Sequence, residues 1–437
     1  MKFKEDTNLS YPLCGNFPSA LEKTYVRFGI GYDNSILSHF VGYAAFRGRR
    51  SLFQPEKGHN IGGQMNSSNP TDPRKILLVA GARPNFMKIA PIFKAIQTRR
   101  EQGNYLLECK IVHTGQHYDI KMSEIFFAEL DIPSPDINLE VGSASHAIQT
   151  AKILIEFEQV CLKESPDYIV VVGDVNSTMA CTLVGAKLGI KVAHVEAGLR
   201  SFDRTMPEEI NRVVTDSLSD ILFTPSVDAD ENLMKEGIPK SKIRLAGNIM
   251  IDTLVDNLEK ARNRKTHIRL GFKEKEFVYV TLHRPSNVDD RECLSAIMRD
   301  LDRLGARLPV CFPVHPRTSK MLAGYGIECG SNDHVNMIDP IGYHDSICLA
   351  EHARFVLTDS GGLQEETTFF RTPCLTLRPN TERPVTITQG SNKLTDPDHL
   401  RADIEDILKA PPRKGRIPSL WDGNTAERIV EHLAEVC

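Results

Sequence analysis

The chain has 437 residues, of which 41% are hydrophobic and 25% charged, and a formal net charge of −4. That length admits two domains, the balance is ordinary for a globular protein, and the acidic sign argues against a nucleic-acid partner, which needs a basic face. No apolar run approaches the roughly 18 residues of a membrane helix; the ten cysteines are scattered without a CxxC pair, so neither a zinc site nor a disulfide framework is indicated and a reducing cytoplasm fits.

Residues 1–73 have little periodicity, lack the regions of a secretory signal and end in the polar run GGQMNSSNPTDP. They read as a weakly ordered N-terminal extension, with Met65 as the start of the functional protein. The rival reading is a small N-terminal subdomain. From Arg74 onward apolar runs alternate with helical patterns, the signature of a mainly parallel sheet covered on both faces. Strands are expected at KILLVAG, LECKIVH, YIVVVGD, KVAHVEA, DILFTPS and IRLAGN, with a helix over FMKIAPIFKAIQTRR. These make a first Rossmann-like domain, residues 74–247. The helix MIDTLVDNLEKARNRK then crosses to a second, residues 248–416, with strands at FVYVTLH, LPVCFPVH, HVNMID, ARFVLTD and TPCLTL. Ile429, Val430, Leu433 and Val436 have helical spacing, so residues 417–437 are expected to return to the first domain. The fold class is α/β, two Rossmann-like domains facing a cleft.

Three acids fall at strand and helix ends in one short stretch: Asp174 in VVGDVNST, Glu196 in HVEAGLRS and Glu208 in MPEEINR. Side chains at carboxyl ends of parallel strands face the ligand crevice, and carboxylates held together shift one another's pKa, the raw material of proton transfer. Solvated carboxylates capping nearby helices are the plainer alternative. TDSGGLQEE sends a strand through Ser360, Gly361 and Gly362 into a helix, where backbone amides and the dipole suit a phosphate. The Ser360 hydroxyl adds a donor or a cap, and Glu366 can accept both hydroxyls of a ribose. The same residues also fit a capped glycine turn. GARPNFMK places Arg83 and Lys88 where a diphosphate needs neutralising; solvated cations are the alternative. His283 and Arg284 in TLHRPSN and His315 in PVHP end strands as catalysts or as hydrogen-bonded core residues, and Arg383 follows another strand. HTGQHYD holds His113 and His117 at i, i+4, but Gly115 and the preceding strand break the helical geometry that a metal pair needs, so no metal site is expected.

In order, GARPNFMKIAP, HTGQHYD, VVGDVNST, HVEAGLRS, MPEEINR, GNIMIDT, TLHRPSNVD, PVHPRT, LTDSGGLQEE and NTERP resemble the non-hydrolysing UDP-N-acetylglucosamine 2-epimerases, from about Lys75 to the C-terminus. The resemblance implies a glycosyltransferase-B type fold, a UDP-sugar substrate, no NAD or obligatory metal, and a homodimer. It assigns phosphate and nucleotide contacts to Arg83, His283, His315, Ser360, Gly361, Gly362, Glu366 and Arg383. The catalytic carboxylates would be Asp174, Glu196 and Glu208, with Lys88 and Arg212 beside them. The chain departs from the pattern at Asn85, where many members carry Glu, and near Ser346, where many carry a bulky residue by the uracil. It also has Gln116-His117-Tyr118-Asp119 where several members bind an activating second substrate; Gln116 is kept and the last Gln is not.

The implied reaction is reversible C2 epimerisation of UDP-N-acetylglucosamine. No carbonyl activates the C2 proton, so its loss is expected to accompany departure of UDP, leaving 2-acetamidoglucal. Three carboxylates from different elements could supply acid and base on two faces of the sugar, and which is the base stays open. The rivals are a 2-epimerase of a related sugar such as UDP-2,3-diacetamido-glucuronate, a glycosyltransferase of the same fold, a hydrolysing epimerase, or a non-catalytic UDP-sugar sensor.

Overall fold

The computed structural model describes residues 73–115, 133–327, 335–409 and 415–436, which lie in one compact unit, Ser68–Cys437. The reading of residues 1–72 as an extension therefore falls outside the described residues, as does Gln116.

Seven parallel strands form the first sheet: β1 (Arg74–Ala80), β2 (Leu107–His113), β3 (Ile137–Asn138), β4 (Tyr168–Val172), β5 (Lys191–Val195), β6 (Ile221–Thr224) and β7 (Ile243–Leu245), in the spatial order β3-β2-β1-β4-β5-β6-β7. Six parallel strands form the second: β8 (Val278–Thr281), β9 (Val310–Pro313), β10 (Val335–Ile338), β11 (Phe355–Thr358), β12 (Cys374–Leu377) and β13 (Asn392–Thr395), in the order β10-β9-β8-β11-β12-β13. Both orders reverse direction once, between β1 and β4 and between β8 and β11. Such a switch point opens a crevice at the carboxyl ends of the strands. All five residues of β4 are buried, as are the four each of β9, β11 and β12, because helices cover both faces.

Those helices are α1 (Arg83–Glu101), α2 (His146–Glu164), α3 (Asn176–Leu188), α4 (Pro207–Leu218) and α5 (Val227–Lys235) around the first sheet. Next come α6 (Ile249–Arg264) and α7 (Thr266–Arg269), then α8 (Pro285–Val288), α9 (Arg291–Gly305), α10 (Pro316–Tyr325), α11 (Tyr343–His352), α12 (Gly361–Phe370), α13 (Val385–Thr388) and α14 (Leu400–Lys409), and last α15 (Thr425–Glu435). No helix among the described residues is long and apolar enough to cross a membrane. The strands β3 and β13 carry no apolar run and escape sequence reading. β13 is an edge strand whose Asn392 Nδ2 donates to Thr386 Oγ1 at 3.1 Å, so polar bonds and not apolar burial hold it.

The chain crosses between the sheets twice. Along α6, the Thr253 hydroxyl bonds the Met87 carbonyl of α1. After the second sheet, Trp421 Nε1 donates to the Pro225 carbonyl at 2.9 Å, and the Ala426 amide donates to Asp252 Oδ2 at 2.7 Å. α15 then buries Ala426, Ile429, Val430 and Leu433 in the same cluster as Ile89, Ile92 and Ile96 of α1. Leu433 is fully buried. Leu433→Ala should therefore cost about 2–5 kcal/mol in urea unfolding. A loss below about 0.5 kcal/mol, the usual range for exposed positions, would show that this helix adds nothing to the core.

Candidate active site

At the rim of the first sheet, Asn85 sets the geometry. Its Oδ1 accepts the Ala82 amide at 2.9 Å and the Gly81 amide at 3.3 Å, and its Nδ2 donates to the Val172 carbonyl at 3.1 Å. The side chain thus closes the start of α1 and ties β1 to β4 across the switch point. One turn later Lys88 is buried and ion-paired with Glu196, not at the cleft edge where the sequence reading put it. Gly173 makes room for this pair: a Cβ there would meet Lys88 Nζ at 2.8 Å, and its φ is +68°. Glu196 itself sits at φ 71°, a conformation costly for a residue with a Cβ and one that tends to mark functional sites. Its Oε1 is buried without a hydrogen-bond partner among the described residues.

Asp174 is held by Arg212, Nη1 to Oδ2 at 2.5 Å, and keeps 30% of its side chain exposed. The other edge of the buried Arg212 guanidinium grips Glu209 Oε2 at 2.6 and 3.0 Å. Glu209 also accepts the Ser201 and Phe202 amides at 3.0 and 2.9 Å. Burial alone would raise its carboxyl, but the Ser201 amide and Arg212 outweigh burial and hold it below the usual carboxylate range. Glu208 is exposed in the first turn of α4, and its charge acts on Arg284 of the second half. Adjacent acids therefore do different work: Glu209 anchors the loop and Arg212, and Glu208 stays exposed with its charge reaching Arg284. Within β5, His194 bridges Asp216 Oδ1 at 2.6 Å and the Gly173 carbonyl at 2.8 Å, which pins the backbone next to Asp174.

At the rim of the second sheet a single buried carboxylate plays the part of Asn85. Asp359 accepts His283 Nδ1 at 2.8 Å, the His283 and Arg284 amides at 2.9 and 2.8 Å, and Asn287 Nδ2 at 3.1 Å. Burial opposes its charge, yet His283 and the two amides outweigh burial and keep it ionised below its ordinary range. The His315 ring lies 5.6 Å from that of His283. Its Nδ1 accepts the Arg317 amide at 3.2 Å, and burial followed by the neighbouring His283 charge lowers its pKa. Ser360 is the N-cap of α12, but its hydroxyl makes no capping bond, so the first amides of that helix are not occupied by it. Gly361 permits a close approach from beneath, since a Cβ there would meet Arg383 Nη1 at 3.1 Å and Glu382 Oε1 at 3.3 Å. Arg383 is accordingly buried, paired with Glu382 and with Glu365 at 2.7 Å. The Arg83 side chain lies outside those the structure describes.

The two rims meet through Glu365. Asn248 Nδ2, at the start of α6, donates to its Oε1 at 2.9 Å. Burial raises its pKa, while Arg383, Glu196 and Lys88 all act on its charge. Lys88 and Glu196 of the first half and Glu365 and Arg383 of the second thus share one buried electrostatic cluster.

The profile of the family described as UDP-N-acetylglucosamine 2-epimerase matches residues 99–434. This chain belongs to that family. A Methanococcus maripaludis relative described as a UDP-N-acetylglucosamine 2-epimerase homolog is 44% identical over 364 residues, 82% of this chain and 99% of the relative. A Pseudomonas aeruginosa UDP-2,3-diacetamido-2,3-dideoxy-D-glucuronate 2-epimerase is 39% identical over 83% of this chain and all of the relative. The crystal structure of Methanocaldococcus jannaschii UDP-GlcNAc 2-epimerase in complex with UDP-GlcNAc and UDP is 41% identical, with a TM-score of 0.74 over 83% of this chain and 99% of that one. The two facing Rossmann-like halves are of the glycosyltransferase-B type that this family shares.

Sequence reasoning passed over Asn85's clamp, Glu209, Asn248, Asp359 and Glu365. Each adjoins or lies within a quoted motif, and Glu209 stands i, i+3 from Arg212, so helical spacing could have found it. Asp359 precedes Ser360 directly, but nothing in a sequence says that it turns under β8.

Glu366 generates a pH prediction. It is buried, and burial followed by the Glu365 charge pushes its carboxyl up to about 7. Between its ordinary 4.5 and about 7 the folded state binds the proton more tightly than the unfolded chain, so stability falls as pH rises through that window. The full effect is on the order of 3 kcal/mol. Urea unfolding of Glu366→Gln against the parent protein should show a relative gain for the variant at pH 8 that vanishes near pH 4.5. A difference independent of pH would mean that Glu366 does not titrate in this range.

Proposed function

We propose that this chain catalyses the reversible C2 epimerisation of UDP-N-acetylglucosamine to UDP-N-acetylmannosamine, by anti elimination of UDP and re-addition through 2-acetamidoglucal. The observation that carries the reading is the junction at Glu365, where Lys88 and Glu196 from one half act on the same carboxylate as Arg383 from the other. Proton transfer and stabilisation of a departing diphosphate are thereby coupled in space. The relative whose structure holds UDP-GlcNAc and UDP supports the substrate class.

The chemistry explains why both halves are needed. A base takes the C2 proton, the C–H electron pair becomes the C1=C2 double bond, and UDP leaves with the C1–O pair. Return of a proton to the other face of C2, with re-formation of the C1–O bond, inverts the centre. Asp174, fixed by Arg212 and partly exposed, and the buried Glu196–Lys88 pair are the proton-carrying groups nearest the first switch point. Glu208 approaches from the cleft side. The leaving diphosphate is met by Arg83, by His283 oriented through Asp359 and by the amides at 360–362, with Glu366 on the ribose. Preorganised donors of this kind act where charge develops. The glycal must not escape, so closure of the halves over the cleft accompanies turnover. Ile148, Ile155 and Leu162, spaced by sevens and exposed on α2, suit a second copy of the chain in a homodimer.

Proton NMR of UDP-N-acetylglucosamine with the enzyme in D2O tests the route. Deuterium should appear at C2 of both epimers without any acceptor sugar. Full retention of hydrogen at C2 would exclude the elimination. Free N-acetylmannosamine would indicate a hydrolysing enzyme, and inertness toward this sugar but turnover of the diacetamido-glucuronate would move the substrate to that of the Pseudomonas relative.

Substitutions separate the two halves of the chemistry. Asp174→Asn and Glu196→Gln should each abolish epimerisation, and one of them should still release UDP and glycal because elimination outlives re-addition. His283→Ala should reduce turnover on the order of 100-fold or more with little change in melting temperature. Turnover unaffected in all three would remove both rims from the active site.

A further inference from the structure

Among the described residues, histidine and cysteine converge into a group able to hold a metal ion at one place, away from the motifs used above. Cys348 and His352 are one turn apart on α11, and His267 arrives from α7, 81 positions before Cys348. Cys348 Sγ lies 3.5 Å from His267 Nδ1 and 4.0 Å from His352 Nδ1, and the three ligand atoms fall within 4.8 Å of one another. Cys348 is fully buried and His267 is 7% exposed, while the His352 side chain keeps 19%. The Thr266 and His267 amides are directed at the sulfur, the outer contacts that a metal-bound thiolate normally receives.

We propose that His267, Cys348 and His352 form a binding site for a single borderline transition cation of the zinc class. One sulfur and two imidazole nitrogens select such an ion over magnesium or calcium, which take oxygen ligands. An ion about 2.3 Å from sulfur and about 2.0–2.1 Å from each nitrogen in a tetrahedral array places sulfur and nitrogen roughly 3.6 Å apart. The Cys348–His267 separation already meets this, and the Cys348–His352 separation is slightly long. Two local changes complete the site. The imidazoles are stacked, 4.0 Å between centroids and 15° apart, and His352 Nδ1 donates to the Cys348 carbonyl at 2.8 Å. The half-buried His352 ring must turn out of the stack and release that carbonyl. Binding then expels the thiol proton, moves the His352 proton from Nδ1 to Nε2, and leaves the fourth position to water. The bound ion ties α7 to α11, the helix that begins at Tyr343 beside Glu366, so it braces the second sheet without entering the reaction.

The test uses the full chain, stripped with a chelator and titrated with Co2+ and then with Zn2+. One equivalent of Co2+ should give intense tetrahedral d–d absorption and a thiolate-to-cobalt charge-transfer band, both bleached by Zn2+, and Zn2+ should raise the melting temperature. Cys348→Ser should lose the charge-transfer band. His352→Gln should weaken binding at least about tenfold, since loss of an outer contact alone costs about 10–100-fold. Circular dichroism checks the folding of each variant, and His267→Gln replaces Cys348→Ser if the latter does not fold. Absence of stoichiometric binding in the parent protein, absence of the charge-transfer band, or an unchanged band in Cys348→Ser would each overturn the assignment.

Discussion

Burying a charge is tolerable only when a partner replaces the water it loses, and the region between the two sheets is organised by that requirement. Glu365 and Glu196 on the acidic side, and Arg383 and Lys88 on the basic side, are all nearly sealed from solvent. Each answers another across the join: Lys88 pairs with Glu196, Arg383 with Glu365, and Glu365 feels all three of the others. Removing any one of them leaves an uncompensated buried charge, which is more costly than the net worth of the pair. The halves are therefore coupled by electrostatics as well as by the two chain crossings.

A second consequence follows from the two sheet orders. Each has one switch point, and at each a single polar side chain closes the strand-to-helix turn: Asn85 by bonding the Gly81 and Ala82 amides, Asp359 by bonding those of His283 and Arg284. Both are buried, both reach the neighbouring central strand or its end, and both hold the backbone where a ligand would approach. At Asn85, where the family resemblance leads one to expect Glu, the amide serves this clamp with both of its ends. An acceptor faces the helix amides and a donor faces the Val172 carbonyl, and an ionised carboxylate could not supply that donor.

Neighbouring residues of like chemistry are separated by helical geometry. Glu208 and Glu209 differ by one position, about 100° of rotation on α4. One is exposed and the other is buried against Arg212. Glu365 and Glu366 are separated in the same way: the first joins the charged cluster, and the second lies by Tyr343, pushed toward neutrality. The burial of Arg383 has a similar origin. The glycine at 361 opens a space that the guanidinium fills, so it supports the start of α12 from below.

The sequence by itself determined the alternation of buried parallel strands and amphipathic helices, because apolar runs and 3.6-residue spacing record which faces meet water. It also located Asp174, Glu196, His283 and the Ser360–Gly362 turn at strand ends, since glycines and polar residues that interrupt apolar runs mark where the chain leaves the sheet. It could not show β3, which is only two residues long, or β13, which carries no apolar run. Only the tertiary structure decided that Lys88 turns inward to Glu196, that Asp359 holds His283, and that His267 meets Cys348. These are contacts between segments as much as 108 positions apart. Local propensity carries no information about such pairs, because the partner is chosen by the packing of the two sheets and by the need of each buried charge or polar group for a counterpart.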